Sequence, residues 1–303
     1  MNKRKLVYII SPARAGSTLL TYLLANHHEI ATVGELKATA MGNIDEYTCS
    51  CGEPILTCGF WTEVTKSMHA QGRNFDVRNF GTHYQCETLP CSKMIGGTVK
   101  GRLYETFRDA YLALSPSCKR KRDEVTLQNK AIIESICHIQ NKSVFLDDSK
   151  SPIRLKHLIN AGIWDVYVIN LIRDGKGVIT SYMKTASYTI NKAVSEWKHI
   201  CNEIENVLRL IDPKLVYTVH YEDICSNVDE SLNQLCDFMG IEPFGKNLAL
   251  DKKDKHILGN SMRLKSTTEI TLDERWRSIM VGDNLEYFES EVGYLNKKLG
   301  YNH

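Results

Sequence analysis

The stretch Ser11-Pro-Ala-Arg-Ala-Gly-Ser-Thr18 decides how the chain is read. Before it, residues 6–10 (Leu-Val-Tyr-Ile-Ile) form an apolar run that predicts a buried strand. After it, Leu19-Leu-Thr-Tyr-Leu-Leu-Ala25 predicts a helix. A strand, a tight loop of small residues and a helix N-terminus build an anion site. Backbone N–H groups converge there, where the helix dipole places partial positive charge. The outline is that of a phosphate-binding loop, Gly-x-x-x-x-Gly-Lys-Ser/Thr, but its lysine is absent. Gly16 is followed directly by Ser17 and Thr18, and the nearest cation is Arg14, inside the loop. The expected ligand is an anion other than the β- and γ-phosphates of ATP.

Three further apolar runs, 143–146, 166–172 and 215–219, also read as buried strands. Helical patterns follow the four runs at 17–25, 153–160, 175–185 and 228–239. This alternation predicts an α/β fold, a parallel sheet flanked by helices, with ligands beyond the carboxyl ends of the strands. The rhythm is lost between residues 38 and 139, where loop sequence rich in Gly, Cys and Thr leads to helical patterns near 103–114 and 124–138. The expectation is one domain over 1–303 with 38–139 inserted over the active face. Ser115-Pro116 followed by Lys119-Arg-Lys-Arg122 reads as an exposed loop. A long helix is expected over 191–210, ended by Asp212-Pro213, and a last one over 285–299, closed by Gly300.

The chain has 303 residues, 43% hydrophobic and 24% charged, ordinary for a globular protein. A net charge of +2 is too balanced for a nucleic-acid partner. The basic start, Met1-Asn-Lys-Arg-Lys5, reads as a solvated lead-in. The run after it is too short for a signal peptide or a membrane span, which implies a cytoplasmic protein.

A second anion signal follows the run 166–172: Arg173-Asp-Gly-Lys-Gly-Val-Ile-Thr-Ser181. An arginine at the carboxyl end of a central strand enters the ligand crevice, and its planar fork suits phosphate and sulfate oxygens. Ser181 lies about two helical turns on, so its hydroxyl faces the same way. A third signal is His256-Ile-Leu-Gly-Asn-Ser-Met-Arg263, with Trp276 beyond it.

In these motifs the sequence resembles the sulfotransferases that use 3′-phosphoadenosine 5′-phosphosulfate (PAPS), on a P-loop-like fold. The family's first loop is similar to Ala13-Arg14-Ala15-Gly16-Ser17-Thr18, and the resemblance implies that it holds the 5′-phosphosulfate. Its strand-Arg-Asp motif with a helix serine is similar to Arg173 and Ser181, implied to bind the 3′-phosphate. Lys150-Ser151-Pro152 resembles the family's Lys-Ser/Thr-Pro, and Gly259-Asn260 with Arg263 and Trp276 resembles a bacterial Gly-Asn-x-x-Arg…Trp segment. The motifs keep the family order. Arg173-Asp-Gly-Lys replaces the commoner Arg-Asp-Pro-Arg, and Arg14 stands where the small-molecule branch has lysine. Gly34-Glu35 matches the branch, including tyrosylprotein sulfotransferases, whose glutamate is the general base.

The resemblance implies sulfuryl transfer to an acceptor hydroxyl. Its catalytic residues are Glu35 as base, Arg14 with the Ala15–Thr18 loop as cradle, and Lys150 stabilising the leaving group. Arg173, Ser181, Asn260 and Arg263 complete the donor site, and the chemistry requires no metal. A Mg-ATP kinase or NTPase is the alternative, with Phe145-Leu-Asp-Asp148 as a Walker-B-like strand; a non-catalytic nucleotide-binding module is another. The acceptor is not legible. Five of the ten cysteines, Cys49, Cys51, Cys58, Cys86 and Cys91, crowd into one region. Their spacing leaves open a zinc site, local disulfides or unpaired thiols.

Overall fold

The computed structural model describes residues 3–39, 41–88, 90–244, 255–259, 264 and 270–302. Among the described residues five strands, β1 Arg4–Ile10, β2 Ile30–Thr32, β3 Val144–Asp147, β4 Trp164–Ile172 and β5 Val216–His220, form one sheet in the order β2-β3-β1-β4-β5. Every pairing is parallel. The strands are buried on both faces, which is why they read as continuous apolar runs. Along β1 the period of two sorts Leu6, Tyr8 and Ile10 into one core and Val7 and Ile9 into the other.

Helix α1 (Ser17–Ala25) leaves β1. Four helices, α2 Gly59–Ala70, α3 Cys91–Gly96, α4 Arg102–Leu114 and α5 Pro116–Ile139, build the segment between β2 and β3. Then follow α6 (Pro152–Asn160), α7 (Gly175–Thr185), α8 (Ile190–Leu208), α9 (Tyr221–Ser226), α10 (Val228–Met239) and α11 (Asp283–Lys298). The core holding Val7 and Ile9 takes Leu20, Leu23 and Leu24 of α1 with Leu232, Leu235 and Met239 of α10. On the other face lie Trp61 and Val64 of α2, Ile132 and Ile136 of α5, and Leu155 and Leu158 of α6. No helix among the described residues is long and apolar enough to cross a membrane.

Several expectations change. Arg4 and Lys5 are part of β1, not a solvated lead-in: Arg4 pairs with Glu134, and Lys5 Nζ donates to Met239 O at 2.9 Å, at the end of α10. The edge strand β2 was not expected, because three residues carry no readable periodicity. Lys119–Arg122 is not a loop. Ser115 is an N-cap and Pro116 opens α5, so the basic run lies on the first turns of a 24-residue helix. Cys91 is bonded to Cys118, tying α3 to α5.

One buried polar junction fastens the segment between β2 and β3 to the sheet. Arg154, fully buried on α6, bonds Asp147 at the end of β3 (Nε to Oδ2, 2.9 Å), Thr82 O (2.6 Å) and Asn129 Oδ1 (2.6 Å).

Candidate active site

The site forms where the five strands end on the same side. The loop after β1 enters α1 through Gly16 at φ 97°, a left-handed turn that glycine adopts at little cost. A Cβ on Gly16 would stand 2.4 Å from Cδ2 of Tyr221, which follows β5 and closes the loop from one side. Arg14 also has a positive φ, 68°. The N-terminus of α1, Ser17 and Thr18, follows this turn directly, so the helix dipole points at the end of the loop.

A chain of charged groups stands beside that loop. Gly34, just past β2, has φ 74°, and a Cβ there would lie 2.5 Å from Leu258 O. The tight passage aims Glu35 at Lys150, which follows β3. Lys150 Nζ donates to Glu35 Oε1 at 2.8 Å and to Asp148 O at 2.8 Å, with Asp148 Oδ1 at 3.3 Å. Lys150 is itself left-handed, φ 57°, and the next residue is pinned by Tyr8, whose hydroxyl accepts from Ser151 N at 2.9 Å. Burial opposes the Lys150 charge, but Asp148 and Glu35 outweigh it and raise its pKa. Asp148 moves the other way from an ordinary carboxylate. Burial pushes its pKa up to about 6 and Glu35 adds to this, against Lys150 and a hydrogen bond with Ser17. Ser17 of the anion loop thus acts on the same carboxylate that the Lys150 ammonium faces.

Arg173 sits at the end of β4 as expected, but its guanidinium braces the loop. Nη1 donates to Arg14 O at 3.0 Å and Nη2 to Asp273 O at 3.0 Å, and the group lies 4.4 Å over the Tyr221 ring. The Asp273 carboxylate, held by Arg275 and Arg173, stays well below the usual range. Lys176, where the commoner motif has arginine, points away to Glu289 on α11 at 3.4 Å, between the Trp276 and Phe288 rings. Ser181 lies half-buried on α7, near Tyr182, which packs in one cluster with Ala15 and Trp276. Asn260 and Arg263 lie outside the described residues. The sequence reading missed Tyr221, Asp148 as a link to Ser17, and the return of Leu258 beside Gly34, where Leu258 N donates to Val33 O at 2.7 Å.

Comparison with known proteins fits this geometry. A family model described as "Sulfotransferase domain" matches residues 4–292. The chain belongs to this sulfotransferase family. Among solved structures, it is similar to the sulfotransferase domain from the Synechococcus PCC 7002 olefin synthase. That match has 19% identity and a TM-score of 0.56, over 100% of this chain and 96% of that one. It is also similar to the sulfotransferase STF9 from Mycobacterium avium, with 13% identity and a TM-score of 0.50, over 98% and 77% of the two chains. At these identities the likeness speaks for the fold. No curated protein sequence matches.

In this sulfotransferase the Walker-B-like strand is otherwise engaged. Asp147 is bound to Arg154 and to Ser149 N at 3.0 Å, and Asp148 faces the Lys150 ammonium. A pH effect follows from Asp148. Its folded pKa lies above its ordinary value, so its contribution to stability is full below about 4 and is lost as pH rises through about 6. Across that window wild type is expected to lose roughly 3 kcal/mol relative to Asp148→Asn. Melting curves of both proteins between pH 4 and 7 check this. Parallel curves would show that Asp148 is not the titrating group.

Proposed function

We propose that this sulfotransferase moves the sulfuryl group of PAPS to an acceptor hydroxyl, releasing 3′,5′-ADP. The observation that carries the proposal is the Glu35–Lys150–Asp148 ion-pair chain, which sets a carboxylate and a buried ammonium beside an anion loop. The donor supplies the sulfuryl group. The loop fits a single 5′-phosphosulfate: it offers Arg14, the N-terminus of α1, and a glycine in a left-handed turn. Arg14 and the backbone of Ala15, Gly16, Ser17 and Thr18 hold the sulfuryl and 5′-phosphate oxygens. Glu35 takes the proton from the acceptor hydroxyl as the oxygen attacks. Lys150, held charged by two carboxylates, stabilises the negative charge that grows on the leaving phosphate.

Arg173 keeps Arg14 in its strained conformation while its remaining N–H groups and Ser181 serve the 3′-phosphate. Asn260 and Arg263 are assigned to the same end of the nucleotide. Acceptor contacts come from the inserted residues 38–139, within one domain, and the enzyme acts in the cytoplasm. Against the Mg-ATP reading, the Lys150 ammonium already stands 3.3 Å from Asp148 Oδ1, the carboxylate that such a reading would give to magnesium.

The test is nucleotide-dependent melting. Addition of 3′,5′-ADP in the presence of a chelator is expected to raise Tm, by about 2.7 kcal/mol of stabilisation at a hundred times Kd. Stabilisation by Mg-ATP alone would favour the kinase reading and remove this one.

A further inference from the structure

Outside the residues assigned to the chemistry, Cys49, Cys51, Cys58 and His256 place one ligand atom each within 4.8 Å of one another. Cys49 Sγ and Cys58 Sγ each lie 3.5 Å from His256 Nδ1, and Cys51 Sγ lies 3.7 Å from Cys58 Sγ. In a zinc tetrahedron with Zn–S of about 2.3 Å and Zn–N of about 2.0 Å, neighbouring donors stand roughly 3.5–3.8 Å apart. The three short separations match those edges. We propose that these four residues bind a structural zinc ion, which fastens residues 255–259 over the catalytic carboxylate.

The local fold is built for such a site. Cys49 and Cys51 sit on a tight turn closed by Cys49 N donating to Glu53 O at 2.8 Å, with Gly52 at φ 96°. Cys58 is the N-cap of α2. The His256 ring is fixed by Phe60, stacked at 4.2 Å and 3° from parallel. Ser50 Oγ donates to Lys255 O at 2.5 Å and accepts from Ile257 N at 2.7 Å, so both neighbours of His256 are tied to the cysteine turn. Cys49 and Cys58 are buried and Cys51 is half-buried, which gives a shielded site with an entry side. Three thiolates and a neutral imidazole form a closed four-coordinate set, the kind structural zinc prefers, with no position left for a water. Binding releases the thiol protons, so the site forms more readily as pH rises.

The consequence lies two and three residues beyond His256. Leu258 pairs with Gly34, Tyr47 accepts from Gly259 N at 3.1 Å, and a Cβ on Gly259 would stand 3.0 Å from Glu35 Oε1. The strap that covers Glu35 is thus nailed, at its near end, to the inserted segment. The metal takes no part in sulfuryl transfer.

Metal analysis of the full-length chain tests this, after expression with zinc supplement and purification with reductant and without chelator. One zinc per chain is expected, replaceable by cobalt(II) with the absorption of a tetrahedral cobalt thiolate. His256→Cys is expected to keep the metal and shift the cobalt spectrum toward that of four thiolates, whereas Cys49→Ser with Cys51→Ser loses it at least about ten-fold. Stripping the metal should raise hydrogen exchange at the Leu258 amide about ten-fold or more, a readout independent of activity. Wild-type protein with less than roughly a fifth of a zinc per chain overturns the proposal. So does a Cys51–Cys58 disulfide in the reduced preparation, or zinc content unchanged in the double serine variant.

Discussion

Glu35→Gln is expected to fold, to bind 3′,5′-ADP as wild type does, and to turn over roughly 10²- to 10⁴-fold more slowly. The substitution is nearly isosteric. Its carbonyl oxygen still accepts from Lys150 Nζ, now 2.8 Å from Glu35 Oε1, so Gly34, Leu258 and the Lys150–Asp148 contact keep their places. What is lost is the ability to take a proton. The loss belongs in kcat, since a base acts as the acceptor oxygen attacks. Lys150→Met differs in kind. It leaves Asp148, only 2% exposed in its side chain, without the ammonium that opposes its burial, and lowers both turnover and affinity for the donor. Steady-state release of 3′,5′-ADP with both variants separates the roles. Unchanged turnover in Glu35→Gln would remove Glu35 as the base while leaving the donor site standing.

Arg154→Met is expected to cost about 3–5 kcal/mol of stability, the largest single effect away from the chemistry. Arg154 and Asp147 have side chains 1% and 0% exposed, and their 2.8 Å ion pair is the centre of the junction between the sheet and the inserted segment. Removing the guanidinium leaves a buried carboxylate without its counter-charge, deprives Asn129 Oδ1 of a donor and leaves Thr82 O with only its bond from Asn129 Nδ2. The double variant Arg154→Met with Asp147→Leu should recover much of the loss, because replacing both charges removes the desolvation cost. Urea unfolding of the three proteins measures this. A single variant within about 1 kcal/mol of wild type would mean that the pair is no more than a surface-type contact.

The parts of the molecule that were legible in the sequence are those where local chemistry and tertiary position agree. The helices over 17–25, 175–185 and 228–239 have the expected limits, because Gly16, Asp174 and Gly240 mark their ends through backbone conformation or a side-chain cap. Gly34-Glu35 and Lys150 were legible as motifs, and the structure joins them through one ion pair across 115 residues. Tyr221 was not legible. Nothing in Val219-His-Tyr-Glu222 shows that the ring will cover Gly16 and stack under Arg173, since both contacts arise from the parallel ends of β1, β4 and β5. Arg173 shows the same limit from the other side. Its position at a strand end was readable, but its carbonyl partners at Arg14 and Asp273 come from distant segments. The cysteine cluster failed for a similar reason. Five cysteines in sequence suggested one set, yet Cys91 went to Cys118, and the fourth member beside Cys49, Cys51 and Cys58 is a histidine about 200 residues away.

Following the sulfuryl group itself tests whether it leaves PAPS for a hydroxyl. The enzyme is incubated with PAPS carrying radioactive sulfur and a fraction of hydroxyl-bearing metabolites, with a chelator strong enough to remove magnesium but not a closed thiolate site. Label should enter an acceptor in step with release of 3′,5′-ADP, at a rate that falls with Glu35→Gln. Failure of the label to leave the donor, together with transfer of the terminal phosphate from Mg-ATP to an acceptor, would contradict it.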